Sequence, residues 1–462
     1  MSSQKSLRPI ALIAAIGGLL FGYDTAVISG AIGNLTRYFA LTPLEVGWAI
    51  SSALVGCLAG ALLADQLSTR YGRKWSMVIA AILFLVSAIG TALPDTFTAF
   101  VIYRIVGGLG VGIASMVVPM YIAEIAPAHK RGSLVAYNQL AIVIGIVLVY
   151  FVNYYIALQG NEEWNLNTGW RWMFGSEALP AILYLILLFF IPESPRWLLM
   201  KEQAVKAQGV LEQFNSRTES ESILQEIKAS LGASTKVHWR LLLHPSIRLA
   251  LWVGIGLSVF QQVTGINAIL YYAPEIFKSF GSTSNTSLLE TSMLGVTNLI
   301  FTIVSIFLVD RLGRKPLMFI GTTGMLISLT VVGIAAYTGT VSTWLLPFLL
   351  LFMASFSISW GPVVWVLLAE IFPNNVRSLA LSIAVFIQWV ANFAVSQTFP
   401  LMTGNEWLNT QFHGAFPFIV YAILCAVAFL FVWRFAPETK NKTLEEMNGL
   451  WESKLAQEKL PS

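Results

Sequence analysis

Charge is scarce in this chain. Only 11% of its 462 residues are Asp, Glu, Lys or Arg, against roughly a quarter in soluble globular proteins, and this excludes an ordinary soluble domain. Cysteine is nearly absent, with Cys57 and Cys425 the only two. Both lie inside apolar runs, so neither a disulfide framework nor a thiolate metal centre is expected, and no other metal site suggests itself. A nucleotide loop is missing too. The glycines of GGLGVG at 107–112 sit in an apolar run with no Lys-Ser or Lys-Thr after them; they read as close helix packing, and ATP-driven transport is not expected. The 28 basic and 24 acidic residues leave a net charge of +4, too slight and scattered for a nucleic-acid partner.

What is present is apolar. The chain is 56% hydrophobic with a mean hydropathy of +0.70, the signature of an integral membrane protein. Runs of about 20 apolar residues, enough to cross a bilayer, centre on 10–30, 46–64, 75–93, 97–123, 134–158 and 172–191. Six more centre on 249–273, 291–309, 317–337, 343–369, 379–401 and 415–433. Lys5 and Arg8 precede the first run as in a signal peptide, but the run is long and lacks a small-residue cleavage site, so it reads as a first spanning helix. With a cytoplasmic N-terminus, all but four of the 28 Lys and Arg fall on the cytoplasmic side. Arg37, Arg171 and Lys278 fall opposite and Arg104 lies within the fourth span. This bias predicts that both termini are cytoplasmic.

Three motifs recur in order. RYGRK at 70 returns as RLGRK at 311, AEIAPAHKRG at 123 as AEIFPNNVRS at 369, and PESPRW at 192 as PETKNK at 437, at offsets of 241, 246 and 245 residues. A duplicated six-helix unit with parallel halves follows. The expected fold is an all-α membrane protein of twelve transmembrane helices in two pseudo-symmetric halves, residues 1–191 and 248–440. Between them, 192–247 forms a cytoplasmic linker whose Ile223, Ile227 and Leu231 mark a short amphipathic helix, and 441–462 is a cytoplasmic tail.

One residue conflicts with its surroundings. Asp24, in FGYDTAVISG, stands within the first span, where a charge costs at least about 2.5–3.5 kcal/mol on the insertion scale. A carboxylate there faces a cavity or a partner, and Arg104 is the one arginine inside a span. The pair reads either as a proton-responsive site or as a fixed structural ion pair.

The motifs YRIVGGLGVG, PMYIAEIAPAHKRG, PESPRWL, QQVTGINAILYYAPEIF, DRLGRKP and GPVVWVLLAEIFP resemble, over nearly the whole chain, the sugar porter branch of the major facilitator superfamily. Thr69 departs from the acidic or amide residue usual before Arg70. The resemblance implies the major facilitator fold and a sugar site whose amides meet hydroxyls and whose aromatic rings meet C–H faces. The matching positions are Gln139, Gln261, Gln262, Asn267, Asn298, Trp365, Gln388, Trp389 and Asn392, with Trp365 as stacking platform. At the position of Ile146 members of the family carry either an amide or, as in the glucose facilitators, an apolar residue, which leaves pentose against hexose open. Tyr271 and the Gly361-Pro362 break in the tenth span are expected to gate the site.

Arg70, Arg73, Glu124, Arg131 and Glu193, with their counterparts Arg311, Arg314, Glu370, Arg377 and Glu438, are expected to form a cytoplasmic latch holding the halves together. Proton-coupled porters carry an aspartate at the position of Asp24 paired with an arginine at that of Arg104, whereas facilitative ones carry an amide at the first. The resemblance therefore implies a monomeric, cofactor-free secondary transporter, not an enzyme, in the plasma (inner) membrane. Its partners are the bilayer, a proton and a neutral monosaccharide such as D-xylose or D-glucose, imported by symport through alternating access. A uniporter with the same site, or a non-transporting sensor, are the alternatives.

Overall fold

A computed structural model describes residues 7–126, 131–232, 242, 244–372 and 376–440. Among these there are helices and no strands, and twelve helical segments are long and apolar enough to cross a membrane. The chain divides into two compact units, Met1–Leu41 with Trp48–Thr235, and Thr42–Gly47 with Lys236–Ser462.

The first unit begins with α1 (Arg8–Tyr38), α2 (Pro43–Tyr71), α3 (Arg73–Ala92), α4 (Phe97–Ile125) and α5 (Arg131–Ala157). The 31 residues of α1 extend about 46 Å at 1.5 Å per residue, longer than the roughly 30 Å hydrocarbon layer. Local chemistry sets the ends. Thr96 accepts from the Ala99 amide to cap α4, satisfying a donor that would otherwise be orphaned at the helix start. Small residues then bring the helices together. Gly56 and Gly60 of α2 abut the backbone of Ile105 and Leu109, while Gly108 and Gly112 of α4 abut Ala53 and Cys57. These are two interlocked small-xxx-small faces, the packing that substitutes for a hydrophobic drive between helices in lipid. α1 packs chiefly along α5, and α3 along α4.

The sixth span runs Glu162–Leu188, starting ten residues before the expected 172. Its polar first turns, α6 (Glu162–Trp164) and a π-helical turn (Asn165–Gly169), are helical because Asn161 caps them by accepting from the Trp164 amide. Hydropathy alone discounts such turns. α7 (Trp170–Gly175) and α8 (Ala178–Leu188) complete the span. The linker folds as α9 (Pro195–Met200), α10 (Ala204–Leu211) and α11 (Arg217–Gly232), all within the first unit. Ile223 and Ile227 of α11 face Met120 and Ile125 across a cleft of about 470 Å³. Residues 233–241 and 243 of the linker and the tail 441–462 lie outside the described residues.

The second unit holds α12 (Pro245–Val263), α13 (Ile266–Ser279), α14 (Ser284–Leu312), α15 (Arg314–Tyr337), α16 (Leu346–Ile358), α17 (Trp360–Ile371), α18 (Arg377–Thr403), α19 (Glu406–Phe412) and α20 (Phe416–Arg434). α12 packs along α18, and α15 along α16 and α20. Two spans are broken. The seventh parts between α12 and α13, where Gly265 has φ +93° with the Tyr421 ring filling the place of a Cβ. The tenth parts at Ser359 (φ −126°, ψ −89°), two residues before the expected Gly361. Gly361 and Pro362 lie in the first turn of α17, where a missing N–H leaves no carbonyl unpaired within the helix.

Candidate functional site

Three ionisable side chains meet in the core of the first unit. Asp24 on α1, Arg104 on α4 and Glu177, which immediately precedes α8, are each 1% exposed. Arg104 donates through Nη1 to the Asp24 carbonyl at 3.1 Å and to Asp24 Oδ1 at 3.2 Å. Its guanidinium lies 5.7 Å from the Phe174 ring centroid. Gly107, one turn beyond Arg104, leaves the space in which Asp24 and Ser87 approach α4. Glu177 lies next to Asp24, close enough that a proton shared between them would bond the two carboxyls.

The charges in this cluster do not balance. Ionised carboxylates only accept, so Asp24 and Glu177 can bond each other only when one carries a proton. Asp24 Oδ2 and Glu177 Oε1 find no donor among the described residues. With both carboxyls ionised the cluster carries one net negative charge in a medium that penalises buried charge heavily; one proton makes it neutral. Glu177 was missed in reading the sequence, although the rule that singled out Asp24 applied equally to a glutamate inside the sixth apolar run.

The second unit brings most of the amides together around its two helix breaks. Asn267 Nδ2 donates to Gln262 Oε1 at 2.5 Å, Gln262 Nε2 to Gln261 Oε1 at 3.2 Å, and Gln261 Nε2 to the carbonyls of Trp360 at 2.8 Å and Gly361 at 3.2 Å. One hydrogen-bond chain therefore ties the end of α12, the start of α13 and the first turn of α17. The Trp360 indole donates to Thr322 Oγ1 at 2.7 Å and anchors that turn on α15. Asn298 Oδ1 accepts from Ser357 and Thr302, and Asn392 Oδ1 from Ser396. Gln388 Oε1 is buried with no donor among the described residues. Trp365 is 40% exposed, a free face for an aromatic residue this deep in a span, while Tyr271 is buried and Trp389 half-buried. Gln139 is half-buried on α5 of the first unit.

At the end of each unit that carries the basic motifs, the same network appears twice. Arg73 grips Glu124 bidentately, Nε and Nη2 each at 2.8 Å; Arg314 grips Glu370 at 3.2 and 2.8 Å. Ser194 Oγ donates to Glu124 and Thr439 Oγ1 to Glu370. Glu193 accepts from the amides of Arg73 at 2.9 Å and Lys74 at 3.1 Å, and Glu438 from those of Arg314 at 3.1 Å and Lys315 at 2.9 Å. Each glutamate thus caps the start of a spanning helix, where the dipole favours negative charge. Burial pushes the Glu193 carboxyl up despite the amides of Ser194, Lys74 and Arg73. Burial acts on Glu438 as well, but four backbone amides outweigh it and hold that carboxyl low. Arg377 donates to the Phe372 carbonyl. Arg70 and Arg311 form no ion pair among the described residues, and the Arg131 side chain lies outside them. These pairs each join helices of one unit.

Residues 10–451 match the family model described as sugar (and other) transporter. The chain is 47% identical to the D-xylose-proton symporter of Escherichia coli strain K12 over 470 residues, covering 96% of this chain and 95% of that one. It is 41% identical to the arabinose-proton symporter of Bacillus subtilis over 443 residues, covering 96% and 94%. It also resembles the inward-open structure of the Escherichia coli xylose transporter, with a TM-score of 0.84, 45% identity, and coverage of 96% and 99%.

Proposed function

This chain belongs to the sugar transporter family, and from that premise we propose that it imports a neutral monosaccharide of the D-xylose or D-glucose kind together with a proton, by alternating access. The observation that carries the reading is the buried Asp24–Arg104–Glu177 cluster, neutral only with one added proton. Sugar binds at the amide chain of α12, α13 and α17, where Gln262 and Asn267 can exchange their mutual bond for sugar hydroxyls, and Trp365 offers a ring face. The basic ends of both units face the cytoplasm of a plasma (inner) membrane, both termini lie there, and the carrier works as a monomer. The repeated Arg–Glu networks brace the cytoplasmic helix ends within each unit, not one half against the other as the expected latch would.

The test is paired, in proteoliposomes. Wild type accumulates sugar under an imposed pH gradient, and Asp24→Asn loses accumulation while keeping counterflow without a gradient, since an amide fixes the site in its neutral form. Accumulation retained by Asp24→Asn would remove this carboxyl from coupling. A wild type that equilibrates sugar but never concentrates it is a uniporter.

A further inference from the structure

We propose that the first unit contains its own exit route for the proton, from the Asp24–Glu177 pair through the hydroxyls of Tyr184 and Tyr121 to Glu193 and the cleft beside it. The proposal rests on the symport reading above and adds to it the path by which the proton leaves.

Helix geometry aligns the groups. Tyr184 follows Glu177 by seven residues on α8, and Gly17 precedes Asp24 by seven on α1, so each is two turns and about 10 Å nearer the basic end on the same helix face. There the Tyr184 hydroxyl lies 2.6 Å from where a Gly17 Cβ would stand. The Tyr184–Gly17 contact therefore repeats, one level down, the Glu177–Asp24 contact. Tyr184 is fully buried and its hydroxyl has no partner among the described residues. An unmade bond of this kind is destabilising, and a phenylalanine would fill the same space without that cost. Asn138 Oδ1, also buried and without a donor among the described residues, lies against the adjacent Gly18. The two groups lie against consecutive residues of α1, and a buried water takes two to four polar partners of this kind.

The chain of groups continues to the surface. Tyr121 of α4 is fully buried and is an electrostatic neighbour of both Tyr184 and Glu193. Its hydroxyl donates to the Pro192 carbonyl at 2.9 Å, beside Glu193. Glu193 in turn lines a cleft of about 610 Å³ with Trp75, Trp197, Gln203 and Lys206. Burial raises the Glu193 carboxyl, so it binds and releases a proton nearer neutrality than an ordinary glutamate.

The transfer balances. A proton leaves the carboxyl pair, each intervening hydroxyl or water accepts one proton as it gives up its own, the Tyr121 hydroxyl turns from the Pro192 carbonyl toward Glu193 to pass its proton on, and one proton arrives on Glu193 and passes to solvent in the cleft. No tyrosine changes its net charge.

Full-length Tyr184→Phe in proteoliposomes with an internal pH-sensitive dye tests the route, because phenylalanine keeps the ring and its packing. Sugar-driven proton entry is expected to slow on the order of tenfold, less than the hundredfold or more of direct acid–base catalysis, because water can bypass one hydroxyl. Its solvent deuterium isotope effect should rise, while counterflow at equal pH stays at the wild-type value and the unfolding temperature does not fall. Tyr121→Phe should slow proton entry in the same way. Wild-type proton entry and an unchanged isotope effect in both variants would overturn the route and leave symport standing. A wild type that moves sugar without protons would overturn both.

Discussion

Three side chains, Asp24, Arg104 and Glu177, hold one positive and two potentially negative charges at 1% exposure each. Removing the guanidinium strands both carboxyls, so Arg104→Met should lower the unfolding temperature far more than Asp24→Asn; breaking a buried pair from one side costs about 3–5 kcal/mol. Glu177→Gln leaves a neutral Asp24–Arg104 pair that needs no proton, and should lose gradient-driven accumulation while counterflow persists. Equal accumulation in Glu177→Gln and wild type would remove this residue from the cluster's function. At the proposed sugar site, Gln262→Ala removes the acceptor of Asn267 and the donor to Gln261. Sugar affinity should fall by about 1–3 kcal/mol, or roughly 5- to 150-fold, in titration calorimetry of the purified protein. Asp24 and Arg104 were legible in the sequence because ions inside apolar runs are rare. That Glu177 completes their cluster was not, because it depends on the sixth span packing against the first, and no periodicity encodes that.

Two broken helices organise the second unit, and their chemistry differs. Gly265 at φ +93° occupies a conformation that costs any L-residue about 1–2 kcal/mol, and the Tyr421 ring already fills the space of a Cβ. Gly265→Ala should therefore lower the unfolding temperature and weaken sugar binding together, since the turn sets the spacing of Gln262 and Asn267. Gly209 of α10 is the control, with nothing within 4 Å of an added Cβ; Gly209→Ala should be neutral or stabilising by about 0.5–1 kcal/mol. Thermal unfolding in detergent, read beside sugar titration, separates the two. If Gly265→Ala matches Gly209→Ala, the turn tolerates a side chain and does not position the amides. The seventh-span break was visible in TGIN because glycine there interrupts a helical pattern. The tenth-span break was placed two residues late, because Gly361-Pro362 marks the start of the new helix while Ser359, a residue with no breaker chemistry of its own, carries the change of direction. Most of the remaining span ends agree with the apolar runs to within about three residues, but α1 and α2 run eight and seven residues past them, α13 runs six past and α14 starts seven before, because polar helical turns extend beyond the apolar stretch; at the sixth span a cap moved the start by ten.

Across the whole molecule, duplication extends from motifs to atoms: Arg73–Glu124–Ser194 and Glu193 in one unit answer Arg314–Glu370–Thr439 and Glu438 in the other. The three motif offsets in the sequence pointed to this repetition. They did not tell which arginine of each RxGRK pairs, a choice made by helix starts that place Arg73 and Arg314 beside the fourth- and tenth-span glutamates. The two copies are not equivalent in burial, and linkage turns that difference into a measurable asymmetry. Glu193 holds its proton more tightly folded than unfolded. Its contribution is fully present below its ordinary value of 4.5 and declines as pH rises through the raised folded value. Glu438 is the reverse: its contribution is present above 4.5 and is lost as pH falls through the lowered folded value. Unfolding temperatures followed from about pH 2.5 to about pH 8 should then diverge in opposite senses for the two neutral variants. Glu438→Gln should fall below wild type at neutral pH and converge with it on acidification. Glu193→Gln should equal or exceed wild type at neutral pH, because the carboxylate it replaces is the form that burial disfavours, and should likewise converge with wild type as acid protonates Glu193. Identical pH profiles for the two variants would mean that the surrounding network, and not the burial of each cap, sets its titration.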